Sequence, residues 1–105
     1  MPDLVFACVG CYYYQKACKE MVDDDRWYEH IDLVLEPENP HDPNAIKVVY
    51  KGKTVGHVAA TDIQRVKTRL FRGAEILDWD IATTTFKSEL LSSVNFEVTY
   101  EPKQH

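Results

Sequence analysis

Asn39-Pro40-His41-Asp42-Pro43-Asn44-Ala45-Ile46-Lys47-Val48, followed seven residues later by Val55-Gly56-His57, is the stretch that decides the fold. Pro40 and Pro43 each push the preceding residue out of the helical region, while Asn39, Asp42 and Asn44 are turn formers whose side chains bond nearby backbone. A loop of that composition is built, not floppy. Residues 45–50 and 54–58 then flank Lys51-Gly52-Lys53, a short glycine-containing connection that suits a β-hairpin. The loop therefore presents Asp42 and its neighbours from the edge of a hairpin.

Working outward, residues 4–14 read as a long first strand that ends in Tyr12-Tyr13-Tyr14. Residues 15–30 are polar and acidic, broken at Asp23-Asp24-Asp25, and read as a connection with no more than a helical turn over 16–22. In residues 31–36, Ile31, Leu33 and Leu35 alternate with Asp32, Val34 and Glu36, giving a second strand with one face in the core. The hairpin supplies the third and fourth strands. Thr61-Asp62-Ile63-Gln64 matches a capping box and Gly73 supplies a left-handed stop, so one helix lies between them. Along it Ile63, Val66 and Leu70 form a core stripe, and Arg65, Arg69 and Arg72 align on another face. Residues 76–86 read as a fifth strand, Val94, Phe96, Val98 and Tyr100 alternate in a sixth, and the chain is a polar tail from Glu101. The sum is a mainly β fold: a small six-stranded antiparallel, OB-like barrel with one helix after strand four.

The chain has 105 residues, room for a single domain over 1–105 that buries roughly two-thirds of the surface its unfolded form exposes. No apolar run approaches the roughly 20 residues of a membrane span, and residues 1–6 lack the basic start and long apolar stretch of a signal peptide. An intracellular, cytoplasmic protein with no membrane partner is expected. Three cysteines, an odd number, argue for reduced thiols and against a disulfide framework. The net charge of −5 disfavours a polyanionic partner, but the charge is polarised. Residues 20–42 carry nine acids and one base, Arg26, whereas residues 47–72 carry seven bases and one acid, Asp62. The basic segment is able to face phosphate.

Three tyrosines in a row offer aromatic faces on which bases stack with little regard to sequence. Alternation along a strand would also bury Tyr13, or else Tyr12 with Tyr14, in the core. An acid repels phosphate, so Asp42 makes sense in a nucleic-acid site only where a hydroxyl donates to it; otherwise it is a turn former. His57 reads either as a packed histidine or as a phosphate contact, and the arginine stripe either as a solvated face or as an electrostatic track. Cys8, Cys11, Cys18 and His30 are nominal zinc ligands. In a strand, positions i and i+3 point to opposite faces, so Cys8 and Cys11 converge only if Gly10 bends the chain sharply. Asp78 and Asp80 share a strand face without a nucleophile or phosphate loop, which leaves metal-dependent hydrolysis a remote alternative.

With Val9-Gly10-Cys11-Tyr12-Tyr13-Tyr14, Asn39 to Val48 and Gly52-Lys53-Thr54-Val55-Gly56-His57 in this order, the sequence resembles the HIRAN domain family from Val5 to about Gly73. The resemblance implies a modified OB-fold barrel that binds single-stranded DNA at its 3′ end, an accessory module of fork-remodelling helicases in DNA repair or replication. Here it would stand alone, with a helicase or nuclease as a separate protein partner and no cofactor. By the resemblance, Tyr13 and Tyr14 stack on bases, Asp42 meets the terminal 3′-hydroxyl and His57 lies near the terminal nucleotide's phosphate. Three positions depart from the pattern. Tyr12 stands where DNA-binding members carry a base, His41 where the motif has tyrosine, and Ala59-Ala60 where bases follow Val-Gly-His. Arg65, Arg69 and Arg72 compensate only if their helix face borders the groove. The alternative expectation, from the net acidity and these losses, is a protein-interaction module on the same barrel.

Overall fold

In the computed structural model, which describes residues 2–103, the first strand stops at a glycine. Strand β1 covers Asp3–Val9, and Gly10 adopts φ +76, a left-handed conformation with no penalty only for glycine. The chain reverses there into a 3-10 turn, Cys11–Tyr14, closed by the Tyr13 N–H donating to the Gly10 carbonyl at 3.0 Å. The expected strand through Tyr14 is therefore five residues too long, and the tyrosines leave the sheet.

The expected connection over residues 15–30 is also corrected. It holds a helix, α1 (Gln15–Asp23), whose buried face is Cys18 and Met21, and a 3-10 turn, Trp27–Glu29, that buries Trp27. Strand β2 (Ile31–Leu35) leads through the proline-rich loop to β3 (Ile46–Tyr50) and β4 (Lys53–Val58). The β3–β4 connection is the two-residue Lys51-Gly52, with φ +49 and +78, a primed turn matched to strand twist.

Helix α2 is Ile63–Leu70, with Ile63, Val66 and Leu70 buried as its spacing requires. Its capping box is not made. Thr61 lies in a 3-10 turn, Ala60–Asp62, and no side chain caps the helix. Asp62 is used elsewhere: Oδ2 accepts the Ala7 N–H at 2.9 Å and Oδ1 accepts the Arg65 guanidinium, which ties α2 to β1. Strands β5 (Glu75–Lys87) and β6 (Leu90–Glu101) extend further than their alternation predicts, because Ser88 and Glu89, both at positive φ, join them in another tight hairpin.

All six strands lie in one antiparallel sheet of order β2-β3-β4-β1-β6-β5, curled into a half-barrel. The mainly β, OB-like architecture read from the sequence is the architecture found, with α1 as a second helix. β1 pairs with β6 along its length, Asp3 opposite Thr99 to Val9 opposite Ser93, but meets β4 only at Cys8–Val58 and Val9–His57. The sheet curls where that ladder is short. Leu4, Phe6 and Cys8 of β1 face Val94, Phe96, Val98 and Tyr100 of β6 in the interior. An aromatic cluster fills the open side: Phe96 packs 5.4 Å from Trp27, 5.6 Å from Phe6 and 5.8 Å from Trp79, centroid to centroid. Among the described residues no helix is long and apolar enough to cross a membrane.

Candidate nucleic-acid interface

The tyrosine turn is displayed on a rigid base. Cys11, its first residue, has no exposed surface, and the Gln15 amide clamps the turn to β6. Gln15 Nε2 donates to the Cys11 carbonyl at 2.9 Å and to the Leu91 carbonyl at 2.5 Å, while Oε1 accepts the Leu91 N–H at 3.0 Å. Above this base Tyr13 is 80% exposed and Tyr12 55%, their rings edge to face at 5.5 Å, and Tyr14 is half-buried. Strand alternation would have sent at least one of them into the core; the bend at Gly10 removes that requirement. Tyr13 and Tyr14 line an open cleft of about 400 Å³ with Lys16 of α1 and Lys53 of β4. Lys53 is also paired with Glu20 at 3.4 Å.

The same bend brings Cys8 Sγ to 3.8 Å from Cys11 Sγ, with Cys18 beside Cys11. Gly56 makes the room: a Cβ there would stand 2.6 Å from Cys8 Sγ and from the Val9 carbonyl oxygen, and 3.3 Å from Cys11 Sγ. Thiol donation to Cys11, reinforced by burial, raises Cys8 and Cys18 and keeps them protonated. His30 does not join them. It is exposed, its ring 6.3 Å from that of Tyr50, and among the described residues no three His, Cys, Asp or Glu side chains are arranged to hold a metal ion.

The signature loop is built by its own side chains. Asn39 Oδ1 accepts the N–H groups of His41 (2.8 Å) and Asp42 (3.1 Å), and Asp42 Oδ1 accepts the Asn44 N–H at 2.8 Å. Glu36 joins the loop to the sheet: its Oε1 lies 2.9 Å from His57 Nε2 and 3.4 Å from Asn39 Nδ2. His57, Glu36, Asn39 and Asp42 thus form one continuous bonded chain. Lys47 pairs with His57 across β3–β4 and lines an open cleft of about 480 Å³ with Val34, Leu35 and loop residues 36–40. His57 also pairs with Val9, so the strand carrying it abuts the one that feeds the tyrosine turn.

Helix α2 divides its bases between two flanks. Lys67 reaches the loop, donating to Asn44 Oδ1 at 3.0 Å. The arginines face the other way. Arg65 donates to the Val5 carbonyl at 3.2 Å and to Asp62, and Arg69 to the Tyr100 hydroxyl at 3.0 Å. The stripe does not border the Asp42 loop, so Lys67 is the α2 base that stands beside it. Lys47, Lys67, Glu36 and Gln15 were not singled out from the sequence. Only Lys47 and Glu36 had a readable signal, through hairpin pairing and proximity to the loop.

A half-barrel that shows aromatic faces on a fixed turn beside an ordered polar loop is a binding domain of the OB-like class. A family model of the HIRAN domain matches residues 2–101, and the chain belongs to that family of DNA-binding modules. It is similar to the crystal structure of the HIRAN domain of human HLTF, with a TM-score of 0.61 at 22% identity, over 96% of this chain and 77% of that one. At that identity the likeness shows the fold. No curated protein matches the chain.

Proposed function

We propose that this chain binds the 3′ end of single-stranded DNA, with Tyr13 and Tyr14 stacking on the terminal bases, Tyr12 and His41 flanking them, Asp42 accepting the 3′-hydroxyl and His57 near the terminal phosphate. The observation that carries the reading is Tyr13, 80% exposed on a turn whose base is buried and clamped. A large aromatic held rigid in solvent adds little to folding and is available for stacking worth about 1–3 kcal/mol per base. Asp42 supports the end preference. One of its oxygens holds the Asn44 N–H and the other meets no donor among the described residues. A 3′-hydroxyl donates to such an oxygen; a 3′-phosphate is repelled by it. Lys16 and Lys53 beside the tyrosines, Lys47 in the cleft under the loop and Lys67 at Asn44 supply positive charge for the strand's phosphates. In a cell the module would serve DNA repair or replication beside a helicase or nuclease.

Titration with two strands that differ only in a 3′-hydroxyl or a 3′-phosphate tests this. The hydroxyl strand should bind about tenfold tighter or better, since a hydrogen bond to a charged acceptor contributes about 1.5–3 kcal/mol. Asp42→Ala should erase the difference. Equal affinities for the two strands on the unmodified chain would refute the end reading. A protein-interaction role is favoured by one observation: β2 is an open edge whose Val34 and Leu35 are 36% and 43% exposed. A protein ligand that shifts Val34 and Leu35 resonances and is held equally by Asp42→Ala would establish that role instead.

A further inference from the structure

We infer that the C-terminal end of α2 carries a second phosphate site, distinct from the end-binding loop, formed by Arg69, Arg72 and Lys103 and filled by the phosphodiester backbone of the bound strand. The occupant rests on the DNA reading above; the phosphate chemistry does not. The three cations line one cleft of about 330 Å³ together with Thr68, Pro2 and the Tyr100 hydroxyl. Three Lys or Arg ion pairs and the His57–Glu36 contact are formed among the described residues, and none involves Arg69, Arg72 or Lys103. In a chain with 17 acids and 12 bases, three cations on one cleft with no carboxylate partner among the described residues are not explained by charge balance.

The cleft is also constructed. Arg69 is fixed by its bond to Tyr100, a residue only 2% exposed, which holds the guanidinium at the wall instead of leaving it to wander in solvent. Gly73, at φ +86, lets the chain turn under Lys103: a Cβ at Gly73 would come within 2.8 Å of Lys103 Cδ. The nearby acids Glu75 and Glu101 stand opposite each other in the β5–β6 ladder, and neither lines the cleft. Two guanidinium forks and an ammonium, with the Thr68 and Tyr100 hydroxyls beside them, are donors matched to a phosphate's oxygens, and their positive charge repels a cation.

Position names the source of the phosphate. Pro2 lies before the first residue of β1 and the tyrosine turn follows its last, so the cleft and the turn are separated by the seven-residue strand, about 23 Å at a rise of roughly 3.3 Å per residue. A ligand held at its 3′ end by the loop meets the cleft only with nucleotides further along. Strands long enough to reach should therefore gain affinity that short ones lack.

The test uses the full chain and the variant Arg72→Gln/Lys103→Gln, whose changes fall on exposed side chains that make no described core contact. Inorganic phosphate should shift the amide resonances of residues 68–74 and 103 in the unmodified chain, not those of Tyr13 and Asp42, and should do so far less in the variant. A strand of about 20 nucleotides should bind more tightly than one of about four, the low end of OB-fold site sizes. The variant should lose that gain, with the salt slope falling by about 0.7 per phosphate contact removed, and should bind the short strand as before. Absence of phosphate shifts, or equal loss on both strands, would overturn the site. Phosphate shifts with no length-dependent gain would overturn the nucleic-acid occupant and point to a small phosphate ester. If the length-dependent gain is present while hydroxyl and phosphate ends bind alike, the end reading fails and this one stands.

Discussion

Tyr13 and Gly56 show how single residues divide between binding and folding. Tyr13 leaves four-fifths of its surface in water, so its ring contributes little to the native state and its removal should not melt the protein. Tyr13→Ala is expected to change the melting temperature negligibly while weakening single-strand binding by about 1–3 kcal/mol, read by thermal denaturation and by anisotropy titration. A large fall in stability would show that the ring packs instead. Gly56 is the reverse case. The atoms a methyl group would strike there include the Val9 carbonyl, which belongs to the β1–β4 ladder and cannot step aside as a flexible side chain would. Gly56→Ala should cost about 1–3 kcal/mol through overpacking, measured by denaturant titration, although the residue lies in a strand where alanine is otherwise tolerated. The glycine between valine and histidine in this strand is there because two thiols and a carbonyl crowd its α-carbon.

Elements whose stabilising contacts are local were legible in the sequence, and those held from a distance were not. The prolines and asparagines of the signature loop, the glycine turn after Tyr50 and the Ile63/Val66/Leu70 stripe all act within a few residues, and each stands where the pattern put it, the turn one residue shorter because Lys53 already pairs with Tyr50. The tyrosine turn and α1 hang on bonds from Gln15 to Leu91, 76 positions away, and α1 buries only Cys18 and Met21, too few apolar residues to declare a helix. Within the candidate site the loop was read directly, but the facing of the arginines was not, since helical spacing gives a stripe without saying which neighbour it meets. The segment after α1 is tied in a similarly remote way. The Tyr50 hydroxyl donates to Asp24 Oδ2 at 2.6 Å, which, followed by the Arg26 N–H and the nearby Lys51 ammonium, lowers the Asp24 carboxyl below its ordinary value. A carboxyl depressed on folding stabilises the native state above its unfolded pKa of about 3.9, and that stabilisation fades as pH falls through the lower folded value. Asp24→Asn should therefore lower the melting temperature at neutral pH and flatten its fall below about pH 4, whereas an acid limb identical to that of the unmodified chain would show that Asp24 anchors nothing.

At the scale of the whole molecule, the half-barrel leaves two sheet edges, β2 and β5, that no strand joins. What spans the gap is side chains. Trp27, between α1 and β2, and Trp79 of β5 stand 6.3 Å apart, with Phe96 of β6 against both and Leu70 and Phe71 of the α2 end beside a small cleft of about 170 Å³. β5 keeps its edge from pairing onward by register irregularities at Ile76/Asp78, Ile81/Thr83 and Thr85/Phe86, and by Asp78 and Asp80 along its length. The consequence is uneven stability. The β1–β6 ladder, in the middle of the sheet over a wholly buried row, should open only with global unfolding, while β2 and β5 depend on an aromatic plug. Trp79→Ala removes the member of that plug carried by the edge strand. It should destabilise the fold by about 3 kcal/mol, allowing for its partial exposure, and leave Trp27 as the single tryptophan reporting on the gap. Amide hydrogen exchange on the variant should quicken most in Ile31–Leu35 and Glu75–Lys87 and least in Asp3–Val9, because the loss falls on closure and not on the central ladder. Equal acceleration in all three strands would mean that the barrel unfolds as one unit and that the open side is no weaker than the middle.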